Sequence, residues 1–100
     1  MKVHRLMPLA FLAAMLASCA SHEVVTYAEA RQIRPHMTLD EVERITGHKG
    51  QRVNGQTVAG AFEESNPGQE VYYWKNKDGS GMSVSFVRGQ VAAISEQGLN

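Results

Sequence analysis

Apolar positions along this chain fall into three regimes: a continuous run, a three-residue spacing and a strict alternation. Residues 6–16 are apolar apart from Pro8, and they follow a short basic stretch with Lys2, His4 and Arg5. At about half the roughly 20 residues that a bilayer-spanning helix needs, the run is too short to cross a membrane. Small residues lead from it to Cys19, the pattern of an export signal with its cleavage site. Further on, the spacing becomes three. Thr26 and Glu29 stand at the distance of a capping box, in which two orphan amides are satisfied reciprocally. Ala30 and Ile33 share one face of the helix expected over residues 27–34, and Pro35 stops it. Thr38 and Glu41 repeat the box. Leu39, Val42 and Ile45 then recur three apart, Asp40 and Glu41 suit the positive end of the helix dipole, and Gly47 is placed to end the helix in a left-handed conformation.

After Gly47 the period becomes two. Residues 51–53 and 56–58 flank Asn54-Gly55, a favoured pair for a type I′ turn, and read as a hairpin. Residues 59–68, with Gly60, Asn66, Pro67 and Gly68, read as a surface loop. Residues 69–75 are rich in Val, Tyr and Trp and form a strand. Lys77-Asp78-Gly79 turns it back into a second strand, in which Met82, Val84 and Phe86 alternate with Ser83 and Ser85. Arg88-Gly89 turns again, and residues 91–96 close the sheet. Helices followed by a meander of strands predict an α+β domain: a helix–turn–helix pair packed on one face of a 3–4-stranded antiparallel sheet. On this reading Tyr72 and Trp74 lie under the helices with Met82, Val84 and Phe86. Tyr73, Ser83 and Ser85 then face water on the opposite side, the candidate protein-binding residues.

Charge narrows the classes of partner. The chain carries 10 basic and 10 acidic residues; loss of Lys2 and Arg5 with the signal leaves 8 against 10, a formal net charge of −2. The basic residues are scattered along the chain, so neither the stripe that nucleic acid requires nor a polybasic membrane surface is expected. Chemistry fares no better. His36 and His48 flank the second helix at opposite ends, and no pair of histidines stands at helical metal-ligand spacing, so no metal or cofactor is expected. Ser83 and Ser85 lack a nucleophile elbow. Glu63 and Glu64 sit together in the loop and read as solvated, and Gly79-Ser80-Gly81 precedes no helix that would make it a phosphate loop. The chain is expected not to be an enzyme and to have no small-molecule substrate.

Leu16-Ala17-Ser18-Cys19 resembles the lipobox of bacterial lipoproteins. The resemblance implies cleavage after residue 18 and acylation of Cys19, with palmitate among the expected acyl groups. A lone cysteine in an exported chain has no internal disulfide partner, in keeping with that role. Residues 1–18 are then a signal peptide, 19–25 the lipidated cysteine and a short tether, and 26–100 one domain. In lipoproteins of this kind Asp after the cysteine favours inner-membrane retention; Ala20 stands here, which implies the periplasmic face of the outer membrane.

A second resemblance covers about residues 27–99. Ile33, Met37-Thr38, Val42 and Gly47 stand as in the helix–turn–helix signature of the SmpA/OmlA (BamE-like) lipoproteins. Tyr72-x-Trp74, Phe86-x-x-Gly89-x-Val91 and Gln97-Gly98-Leu99 look similar to small inhibitor-like domains, including the repeated domain of β-lactamase inhibitory protein. The family usually has Gly before Met-Thr, where this chain has His36, and often Pro soon after the helix-ending Gly, where it has His48-Lys49. The resemblance implies a non-catalytic protein-binding module. One form is an accessory scaffold in outer-membrane assembly; the other is an inhibitor-like binder of a cell-wall or β-lactam-hydrolysing enzyme. The serines of the expected open face depart from the aromatic binding face of the inhibitors.

Overall fold

The computed structural model describes residues 23–100. The signal peptide and Cys19 expected at the N-terminus lie outside the described residues. Two short helices precede four strands: α1 (Tyr27–Ala30), α2 (Leu39–Thr46), β1 (Gln51–Arg52), β2 (Gln69–Lys75), β3 (Gly81–Val87) and β4 (Gln90–Gln97). The strands form one antiparallel sheet in the order β1-β2-β3-β4, so the architecture is α+β.

Both helix starts follow from local chemistry. The Thr26 hydroxyl accepts from the Glu29 amide while the Glu29 carboxylate accepts from the Thr26 amide, and Thr38 and Glu41 do the same. Gly47 ends α2 with φ of 73° and its amide on the Glu43 carbonyl. The first helix is shorter than the expected 27–34, because after Ala30 the chain tightens through Gln32 N–H to Glu29 O and Ile33 N–H to Ala30 O. Such i→i−3 bonds close a helix end and steer Ile33 into the core. His36, a non-glycine residue, takes the left-handed conformation, with φ of 74°.

β2, β3 and β4 are in register as the alternation requires. Tyr72 opposes Val84, Trp74 opposes Met82, and Val84 opposes Ile94. That face holds the main core: Trp74, Met82, Val84, Phe86 and Val91 form one cluster with Val25, Ala30, Ile33 and Val42. Tyr72 meets Phe86 edge-on at 5.7 Å, and the Trp74 indole donates to the His48 carbonyl at 2.9 Å. The two-residue turn at Arg88-Gly89 has positive φ at both positions, as a type I′ hairpin demands.

Two expectations are corrected. The turn at Asn54-Gly55 forms, with φ of 53° and 79° and Gln56 N–H on Val53 O, but it does not join a hairpin. Gln51 and Arg52 pair with Tyr73 and Tyr72 of β2 instead, and residues 56–58 are not a strand. Residues 24 and 25, expected in a tether over 19–25, pack with the domain instead. Val25 is fully buried, and Asn76, itself buried at the start of the β2–β3 turn, fixes the segment. Its Oδ1 accepts from the amides of Val24 (2.7 Å) and Val25 (3.0 Å), and its Nδ2 donates to Val25 O (2.8 Å) and Ser80 Oγ (3.0 Å).

Candidate protein-binding surface

The second sheet face, expected to be open, is covered. Residues 54–68 fold back over it, and Ser83 and Ser85 are 2% and 5% exposed. Ser83 holds the cover down directly and Ser85 does so through Gln69 of β2: the Phe62 amide donates to Ser83 Oγ at 3.3 Å, and the Gln69 side chain donates to Ser85 Oγ at 3.0 Å while accepting from the Ser65 and Asn66 amides. Val53 and Val71 are buried on this side as well, which makes a small second core between sheet and loop. Tyr73 is half-buried at the edge of a cavity of about 20 Å³, beside Val58, Ala61 and Ser83. That is room for about one water and no more. Alternation along β3 correctly separates two faces; it carries no information on what lies over the second.

Glu64 is the residue that closes the loop, and the sequence gives it no role. Its carboxylate accepts from Arg52 and, at 2.7 Å, from the amide of Val71, which β1 is too short to pair. The Arg52 hydrogen bond, with the Val71 amide second, holds the Glu64 carboxyl below the usual carboxylate range. Gln97 fastens the other side of the loop by donating to Gly60 O at 2.6 Å. A carboxylate preceding a strand whose edge partner ends early is the available sequence signal, and it is weak.

With both faces of the sheet covered, open backbone remains at its edges, and the outer edge of β4 is much longer than that of the two-residue β1. Its first residues are already matched: Val91 N–H donates to Met37 O at 2.8 Å, His36 N–H donates to Val91 O at 3.0 Å, and Thr38 bridges Gln90. Ala92 is an extra residue, since Val91 opposes Phe86 and Ala93 opposes Ser85. Past this bulge the alternation resumes, so Ile94 and Glu96 turn their amides and carbonyls outward as Val91 does. Among the described residues no other segment pairs with them. They border a groove of about 530 Å³ whose other lining residues are Ala30, Arg31, Ile33 and Arg34. The sequence does carry a signal for this edge. Residues 91–97 contain no Lys and no Pro, the residues that usually blunt an exposed strand.

Among the described residues there is no group of three His, Cys, Asp or Glu side chains able to hold a metal ion. No helix among them is long and apolar enough to cross a membrane. No protein-family model, curated protein or solved structure matches the chain.

Proposed function

We propose that the chain is a non-catalytic, protein-binding lipoprotein of the BamE-like (SmpA/OmlA) kind, held by acylated Cys19 on the periplasmic face of the outer membrane. Its role is that of an accessory scaffold in outer-membrane assembly. In the finer reading of the fold, the two helices act as one packed pair on the Trp74 face of the sheet. The observation that carries the binding function is the β4 edge, where Ile94 and Glu96 present backbone donors and acceptors beside a groove lined by both apolar and charged side chains. The loop over Ser83 and Ser85 supports a scaffold over an inhibitor-like binder, which needs an open sheet face.

The anchor and the surface are tested separately. Cys19→Ser abolishes acyl labelling and moves the protein to the soluble periplasmic fraction; unchanged membrane fractionation with no lipid on Cys19 overturns the anchor. A photo-crosslinking side chain at Glu96 captures a protein of the assembly machinery in intact cells, whereas one at Arg88 does not. Adducts from Arg88 alone place the binding surface elsewhere.

A further inference from the structure

We propose that the β4 edge binds its partner by strand addition, taking an extended segment that carries an acidic side chain for Arg31 and Arg34. The inference rests on the protein-binding reading and names the chemistry of the partner. Three observations lead to it. The fold itself already adds backbone to this edge, at residues 36–38, so the edge accepts a further strand in the same line. Ile94 and Glu96 then offer two amides and two carbonyls, which an extended segment matches by main-chain hydrogen bonds whatever its sequence. Side chains supply the selectivity. Ile94 and Glu96 project on the Val84 and Met82 side of the sheet, so the incoming side chains on that side meet Ile33, Arg31 and Arg34.

The charge of the groove selects the occupant. Arg31 lies 5.6 Å over the Tyr27 ring, and Arg34 donates to Arg31 O at 3.5 Å. Both are exposed, and among the described residues the ion pairs are those of Arg52 alone. Two guanidinium groups against the single carboxylate of Glu96 favour an acid on the added strand, and Arg presents a planar fork that suits a carboxylate. Small residues at Ala92 and Ala93 leave the approach open along the edge.

The test uses the protein with its processed N-terminus and two blocked pentapeptides, Val-Glu-Val-Glu-Val and Val-Lys-Val-Lys-Val. Amide NMR spectra show shifts at Ile94 and Glu96 with the glutamate peptide, and hydrogen exchange at those amides slows. The glutamate peptide binds about tenfold more tightly than the lysine peptide, the change expected for two exposed ion pairs. Arg31→Glu with Arg34→Glu reverses the preference while thermal stability is kept, since both side chains are exposed. Absence of shifts at Ile94 and Glu96 up to millimolar peptide, or equal affinity for the two peptides, overturns the proposal. Concentration-dependent shifts at the same amides without peptide assign the edge to a second copy and also overturn it. Crosslinking at Glu96 without peptide binding leaves the protein-binding reading standing and removes strand addition. Peptide binding without any crosslinked protein does the reverse.

Discussion

Asn76→Ala should destabilise the domain far more than an exposed-turn substitution does. Asn76 is 5% exposed, and its side chain holds two amides and a carbonyl of Val24 and Val25 together with the Ser80 hydroxyl. A net hydrogen bond contributes about 1 kcal/mol, and a buried donor left without a partner costs about 1–3 kcal/mol. Some of these groups regain water when residues 24 and 25 lift away, but then Val25, wholly buried in the core, is exposed at a cost of about 1.5–3 kcal/mol. The first route loses four bonds at about 1 kcal/mol each, and the second adds the lost Ser80 bond to the exposure of Val25, so either gives a loss of about 3–4 kcal/mol. In a domain of this size 1 kcal/mol moves Tm by roughly 4–8 °C, so the midpoint should fall by about 12–30 °C. Circular dichroism melts measure this, and hydrogen exchange at Val24 and Val25 separates local release from global loss. Ser80→Ala, which removes one of the four bonds together with the hydroxyl's donation to the exposed Asp78, should cost less than Asn76→Ala. A midpoint for Asn76→Ala within about 3 °C of the parent would show that residues 24 and 25 are not part of the cooperative unit.

Val42→Asp should unfold the domain, because Val42 is fully buried and an unpaired charge there costs several kcal/mol; a near-parental melt would refute its placement in the core. Gly50→Ala should displace the Trp74 ring, since a Cβ at Gly50 would stand 2.6 Å from it, and should cost about 1–3 kcal/mol with a changed tryptophan emission spectrum. Glu64 should make the loop acid-sensitive. Its folded-state pKa is lowered, chiefly by Arg52, so its contribution is complete above the ordinary carboxylate pKa and is lost as pH falls through the folded value. Stability of the parent should therefore drop on acidification below the ordinary range, and Glu64→Gln should remove that part of the pH dependence; identical pH profiles would refute the role.

Local chemistry was legible in the sequence and tertiary cover was not. The capping boxes at Thr26 and Thr38 and the left-handed Gly47 were readable because each depends on residues within one turn of chain. The alternation of β3 was readable because the pleat has a period of two; which face Tyr72 and Trp74 take was decided by the register, which sets them opposite Val84 and Met82. What only the tertiary structure decided involves residues distant in sequence. Gln51 and Arg52 found β2 rather than residues 56–58, since a type I′ turn sets a direction but does not force the strand after it to pair. The loop that followed then covered Ser83 and Ser85, whose polar side chains bond to Phe62 of the loop and to Gln69 of β2 instead of forming a contact surface. Asn76, just after β2, clamps a segment 51 and 52 positions away. Period and capping are properties of neighbours along the chain, whereas burial, and with it the open β4 edge, is a property of whatever the rest of the chain brings alongside.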